Sequence, residues 1–299
     1  MKTKLLFLTL IFILACNVYG QENDNLFARL QGISQQDVCF FNVDGIEITS
    51  KKINSEFSAI NCEKGFSDLK IRIKDLTVSD KLLGYRNFYV FKSYEDAKNI
   101  FQNKSYYFVE SPDNKLIAFI FSSINKKHDK DFERNFIKLV CNNSIPDSIF
   151  NSREIDFINF AGRKIPMKNN CRWMGVNNVQ CPYNGQMNWS VHKDLEDASK
   201  TIDNHYAVLT SKKGTKVVSE EIVDVVFEGV ETTARKAVFD VTGAMGLLFS
   251  MDGSKRLTVY LVSVPIRGNF VSCVMSYWAS DQIKPSGLPS LLEEVMKLK

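Results

Sequence analysis

The stretch from Glu221 to Trp278 restricts the fold more than any other part of the chain. EIVDVVFEGVETTARKAVFDV and KRLTVYLVSVPIRGNFVSCVMSYW each alternate β-branched or aromatic residues with polar ones, the two-residue period of a half-buried strand. Ile222, Val226 and Val230 fall on one face, and Val223, Val225 and Phe227 on the other. Glu228-Gly229 interrupts the first run as a hairpin turn, and Asp252-Gly253 within MDGSKR marks a second. The reading is an antiparallel meander closed by a terminal helix, LPSLLEEVMKLK, with Leu288, Leu291, Leu292 and Val295 as its apolar stripe.

Residues 1–20 read as an export signal. Lys2 and Lys4 precede an apolar run, Leu5 to Ala15, too short to span a bilayer. Two cleavage sites compete. Val18-Tyr19-Gly20 suits a signal peptidase, whereas Ile13-Leu14-Ala15-Cys16 resembles a lipobox, which would end the leader at residue 15 and acylate Cys16. The expected location is exported: periplasmic or outer-membrane-associated, at the cell surface or secreted. A lipid at Cys16 would be the sole membrane contact.

The mature chain has room for two ordinary domains, and 44% hydrophobic residues suffice for a sizeable core. Lys and Arg number 38 against 34 Asp and Glu, and two of the lysines leave with the leader. That near-balance argues against nucleic acid, which calls for a concentrated basic face. Of seven cysteines, Cys39, Cys62, Cys141, Cys171, Cys181 and Cys273 remain after cleavage. An even number in an exported chain points to disulfides, and Cys171 with Cys181, bracketing a Gly- and Asn-rich loop, is the favoured pair. No CxxC or closely spaced His partner supports zinc, and neither metal nor cofactor is expected.

In order, LFARLQGISQQ predicts a helix before a first strand, DVCFFNVDGIEITSKKI, and FSAINCEKGFSDLKIRIKDLTV predicts a strand alternating at Leu69, Ile71 and Ile73. SYEDAKNIFQNK carries a helix-start signal with Ser93 as N-cap. A hairpin is expected around Pro112-Asp113-Asn114, then an amphipathic helix in DKDFERNFIKLVCNN with Phe132, Phe136, Leu139 and Val140 on one side. The polar SIPDSIFNSREI is the domain boundary, giving residues 21–150 and 151–299. In the second half, IDFINFAGRKIPM turns at Gly162, CRWMGVNNVQCPYNGQMNWSV reads as irregular, and DLEDASKTIDNHYAVLTS predicts a helix capped by Asp194.

The halves look alike. SPDNKLIAFIFSS parallels SMDGSKRLTVYLVSV, YEDAKNI parallels LEDASKTI, and each half holds three mature cysteines. The fold class is therefore α+β: antiparallel meanders with flanking helices, as two similar domains in tandem. From Phe157 to Leu298 the order of strand, loop, helix, two hairpins and last helix resembles the PsbP/Mog-like α/β/α sandwich. Phe227, Gly229, Ala234, Arg235 and Lys236 form the "F-x-G … A-R-K" run on which the likeness also rests. That resemblance implies a helix before a long meander and a last helix packed back on the sheet. It also implies a non-catalytic interaction module, as for photosystem extrinsic subunits and bacterial envelope lipoproteins, and transfers no binding residues.

Catalytic chemistry has little to stand on. His128 lies in a charged turn and reads as a solvated residue; His192 alternates with Trp189 and Val191 at a strand edge; His205 sits near a helix end that would favour its protonated form. Cys181 with His192 or His205 would need an activated thiolate, which a disulfide removes. No G-x-S-x-G, P-loop or dinucleotide glycine pattern occurs, and GAMG at residues 243–246 reads as a turn. The acid pairs Glu95-Asp96, Glu196-Asp197 and Glu220-Glu221 sit at element starts, where they complement a helix dipole or face solvent rather than forming a glycosidase pair.

The candidate binding surface is the loop from Cys171 to Trp189. There Trp173, Tyr183 and Trp189 mingle with Asn177, Asn178, Asn184, Gln186 and Asn188, and aromatics among amides suit a protein interface or a sugar platform. The competing reading is a bridged loop whose tryptophans fill the core, and Tyr277 and Trp278 at the end of the last strand fit either the same surface or the core. The expected function is a non-catalytic binding protein of the bacterial envelope, with another envelope or secreted protein as partner: an immunity-type inhibitor, or an assembly or accessory lipoprotein. The alternatives are a secreted hydrolase acting on cell-wall or glycan substrates and a carbohydrate-binding module.

Overall fold

In the first half, three short strands lead through a helix into a three-stranded meander. β1 (Gln31–Gln35), β2 (Val38–Val43) and β3 (Ile46–Ile53) precede α1 (Ala59–Gly65), and β4 (Asn87–Ala97), β5 (Ile100–Glu110) and β6 (Leu116–Ile124) follow. The last strand of each set pairs with the other, β3 antiparallel to β6, and the sheet runs β4-β5-β6-β3-β2-β1-β7. α2 (Lys130–Cys141) follows β6, and β7 (Phe150–Asn151) adds a short parallel rung to β1. This computed structural model describes residues 25–97, 99–167, 170–242 and 255–299. The export signal with Cys16, the Asp252-Gly253 turn and the GAMG turn lie outside them.

The second half repeats the plan. After the β8 (Phe157–Phe160) and β9 (Arg163–Pro166) hairpin come β10 (Arg172–Gly175), β11 (Asn178–Cys181) and β12 (Gly185–His192), then α3 (Leu195–Ser211). The meander β13 (Thr215–Phe227), β14 (Val230–Val241), β15 (Arg256–Ile266) and β16 (Asn269–Trp278) follows, with β16 antiparallel to β12. α4 (Ser290–Glu293) and β17 (Met296–Leu298) end the chain, and the sheet runs β10-β11-β12-β16-β15-β14-β13-β17. The architecture is thus α+β, largely antiparallel, with two domain-like halves of matching order.

Each sheet has elements packed on both faces over its central strands, while most of β13 stays exposed. On the first sheet, α2 sets Phe136 and Ile137 against Phe41, Tyr107 and Phe119. On the opposite face, Phe57, Cys62 and Phe66 around α1 meet Val90, Tyr106 and Phe108. The second sheet buries Trp189, Tyr260 and Met275 against the β8–β9 hairpin and the terminal Leu288, Leu291, Leu292 and Val295. Ile202, Tyr206 and Leu209 of α3 cover Phe239, Val259 and Leu261 on the other face.

Several local expectations are corrected. The first predicted helix is one turn, residues 25–29, and the single expected strand after it is the β2–β3 hairpin, turning at Asp44 and Gly45 with φ of 51° and 69°. Residues 57–78 form α1 and two 3₁₀ turns rather than a strand; Ser58 caps α1 by accepting from the Asn61 amide. SYEDAKNIFQNK is no helix but the β4–β5 hairpin, where the expected cap Ser93 donates from Oγ to Asn103 Oδ1 at 2.7 Å across the ladder. The segment read as irregular is the regular meander β10–β12, and the terminal helix is a single turn followed by a strand. The internal parallels are misaligned: YEDAKNI lies on a strand and LEDASKTI on α3, and SPDNKLIAFIFSS leads into β6, whose counterpart by order is β16, not β15.

Candidate functional site

The two halves meet where the β2–β3 turn enters the second half. The Asp44 amide donates to the Val191 carbonyl at 2.9 Å. A Cβ on Gly45 would lie 3.0 Å from Thr201 Oγ1 and 3.4 Å from His192 Cε1, and the φ of +69° also favours glycine, so residue 45 suits the close approach of the turn to α3 and β12. Alongside, Trp189 Nε1 donates to Gln31 Oε1 at 2.9 Å, and Gln31 Nε2 donates to the Asn159 carbonyl at 2.8 Å. Asn125 and Asn204 join across the seam at 3.1 Å.

A chain of charges surrounds this turn. Arg29 grips the Asp44 carboxylate with two hydrogen bonds, at 2.9 and 3.1 Å. Lys126 Nζ donates to both Asp197 oxygens, at 2.5 and 2.7 Å, and to the Asp44 carbonyl. Asp197 Oδ2 stands 2.9 Å from His192 Nδ1, whose Nε2 is 2.8 Å from Ser272 Oγ. Burial pushes the Asp197 carboxyl up, but the hydrogen bonds from His192 and Lys126 outweigh it and hold its pKa at about 2.

A Ser–His–Asp row is the arrangement of a nucleophilic triad, but this one points the wrong way for that work. His192 is 1% and Ser272 3% exposed, and neither lines the neighbouring cleft, while Asp197 does. The serine therefore sits on the interior side of the imidazole, where an incoming carbonyl has no access. Asp44, His192 and Asp197 also bring one donor atom each within 4.8 Å of one another. Both carboxylates are already neutralised, by Arg29 and Lys126, so a divalent ion would have to displace the Lys126 ammonium.

Above this network opens a cleft of about 1120 Å³, walled by the Asp44 turn, the β6–α2 connection, α2 and the start of α3. His128 stands at its edge. The expectation of a solvated residue is corrected: His128 lies 2.8 Å from the Tyr89 hydroxyl, 3.0 Å from Ser105 Oγ and 3.0 Å from Glu133 Oε1. Burial is the main cause that pushes the Tyr89 phenol up to about 12. His192 is likewise not at a sheet edge, since β12 lies between β11 and β16. His205 lies within α3 rather than at its end, and desolvation lowers its pKa, against the expected protonated form.

The aromatic loop is dispersed by the fold. Trp189 is 1% exposed in the core, and Trp173 leans on it with ring centres 6.4 Å apart while donating to the Ser152 carbonyl at 3.0 Å. Asn184 accepts from Ser290 Oγ at 2.7 Å, and Gln186 donates to Asn178 Oδ1 at 2.8 Å. Only Tyr183, Gln186 and Trp278 among these residues share a recess, of about 20 Å³, the space of one water. The tryptophans therefore form no platform. Cys171 and Cys181 are bonded, which takes Cys181 out of any nucleophilic role; Cys39, Cys62, Cys141 and Cys273 are free thiols.

Sequence reasoning missed Arg29, Asp44, Lys126 and Ser272 as partners of a site. The Asp44-Gly45 pair between Val43 and Ile46 is a strong hairpin signal and would have placed the turn, though not its target.

No family model matches the chain, and no curated protein matches it. Among solved structures, the di-domain ARO/CYC StfQ from the steffimycin biosynthetic pathway matches with 12% identity over 93% of this chain and 83% of that one. The TM-score of 0.17 is too low for the likeness to bear on fold or chemistry. Among the described residues, no helix is long and apolar enough to cross a membrane.

Proposed function

We propose that the chain is an exported, non-catalytic binding protein of the bacterial envelope that engages another protein in the cleft between its halves. The observation that carries this reading is the cleft itself, about 1120 Å³ and lined by residues of both halves. Binding sites favour such junctions, and the best-formed acid–base row beside it aims its serine away from it. The Cys171–Cys181 disulfide fits an oxidising compartment. The helix-before-meander order of the second half, on which the PsbP/Mog-like resemblance rests, is compatible with an interaction module. An immunity-type inhibitor and an accessory lipoprotein tethered through Cys16 are the two concrete forms.

The test places a photo-crosslinking residue at Leu139, on the cleft wall, in tagged protein exported by its own leader. One partner protein, captured in equal proportion from native envelope extract, is the expected result. Capture of no protein would overturn the reading. The intact mass of the same material separates a lipidated Cys16 from a free Gln21 terminus.

A further inference from the structure

Seven cationic and five acidic side chains line the cleft, and they are not equally committed. Every carboxylate has a partner. Asp44 holds Arg29, Asp197 holds Lys126 and His192, Asp131 holds Arg134, and Asp203 lies 3.4 Å from Arg235. Asp129 caps α2 by accepting from the Phe132 amide at 3.0 Å. Lys200 holds Glu196 and Lys130 lies over the Tyr89 ring at 4.2 Å, whereas three lysines have neither an ion pair nor a ring contact among the described residues: Lys127 on the β6–α2 connection, Lys138 on α2 and Lys193 between β12 and α3. They reach the cleft from three different elements, so no single solvated helix face accounts for them.

Between these cations the wall is apolar. Leu26, Ile46, Phe132 and Leu139 line it half-buried, with part of each side chain still open to the cleft. The volume is above the roughly 300–1,000 Å³ of enclosed small-molecule sites. An occupant that satisfies both features carries several negative charges and apolar groups along its length.

We infer that the cleft takes an extended acidic segment of a protein partner, its carboxylates on Lys127, Lys138 and Lys193 and its apolar side chains against Phe132 and Leu139. This deepens the binding reading above and rests on it. Charged contacts of this kind govern encounter rate and choice of partner, and salt screens them.

The experiment uses the full mature chain and a short fluorescent peptide alternating glutamate and leucine, with a lysine-leucine peptide as its counterpart. The expected result is binding of the acidic peptide alone, weakening as salt rises. The triple variant Lys127→Glu, Lys138→Glu, Lys193→Glu is expected to bind it at least about tenfold more weakly. A control variant, Lys64→Glu, Lys74→Glu, Lys284→Glu, makes the same change of net charge at exposed positions away from the cleft and is expected to bind as the parent does. Near-identical melting curves for parent and both variants keep the comparison one of affinity. Failure of the acidic peptide to bind, equal binding of the basic peptide, or equal losses in the two variants would overturn the inference. The two readings fail separately. If the triple variant is cross-linked at Leu139 to the same partner as efficiently as the parent, the acidic-segment inference falls and the binding reading stands. If the parent captures no partner, the binding reading falls.

Discussion

Asp197 joins the Lys126 ammonium of the first half to the His192 imidazole of the second. Its folded pKa, about 2, lies below the ordinary value of 3.8. The sign follows directly: its stabilisation is complete above the unfolded pKa and is lost as pH falls from about 4 towards 2. Asp197→Asn is therefore expected to flatten the acid limb of a stability–pH curve measured by urea unfolding. At neutral pH the same change leaves the part-buried Lys126 without its carboxylate, at a cost of about 1–3 kcal/mol. A curve parallel to the parent's down to acid pH would show that the pair is solvent-screened. The thiols give a second test at this scale. Burial pushes Cys62 and Cys141 up to about 12 and Cys273 well above its usual range, whereas Cys39 is only half-buried. A disulfide reagent acting on native protein is expected to label Cys39 well before the other three, since the thiolate is the reactive form; simultaneous labelling would contradict the buried placement.

At the scale of elements, local signals succeeded where nothing competed with them. Asp194 caps α3 and Asp129 caps α2, each accepting from the amide three residues on. Replacing Asp129 with Ala is expected to cost about 1 kcal/mol in chemical denaturation. The same kind of signal at Ser93, Glu95 and Asp96 misled, because β4 forms a ladder with β5, with a register shift between Glu95 and Ala97, and Val90 of β4 and Tyr106 of β5 are buried between layers. Hairpin pairing with the next strand overrode a cap that a short window makes persuasive. The opposite error befell residues 171–189. Their density of Asn and Gly reflects tight turns, with Asn177, Tyr183 and Gly185 at positive φ, and the strands between them are only four to eight residues long. The disulfide was the favoured pair from the even cysteine count and the short Gly- and Asn-rich loop between its members, and it ties the start of β10 to the end of β11. Its loop is short, so the double variant Cys171→Ser, Cys181→Ser is expected to lose about 3 kcal/mol while keeping the parent's far-ultraviolet circular dichroism. A loss of sheet signal would mean the bridge is needed to form the meander.

For the molecule as a whole, the site could not be read in advance because its members are scattered. Arg29, Asp44, Lys126, Asp197 and Ser272 come from both halves and meet only when the β2–β3 turn docks on α3. Docking has a definite steric condition. Gly45 combines a φ of +69° with a Cβ direction that meets Thr201 at 3.0 Å, so a branched side chain there faces both backbone strain and a clash with the other half. Gly45→Val is expected to destabilise the protein by about 1–3 kcal/mol, and the loss should concentrate at the seam rather than in either core. As the turn withdraws, the Trp189–Gln31 hydrogen bond at 2.9 Å is also exposed to water. Two readouts separate this from general unfolding. Tryptophan emission should shift to the red, and limited proteolysis should begin to cut the polar segment between residues 152 and 156, just after β7 leaves the first sheet. Two protease-resistant fragments would mean that each half folds on its own and that the cleft depends on the Asp44 turn. Digestion without a stable fragment would mean that the seam is part of one cooperative core, and that the cleft cannot open without loss of the fold.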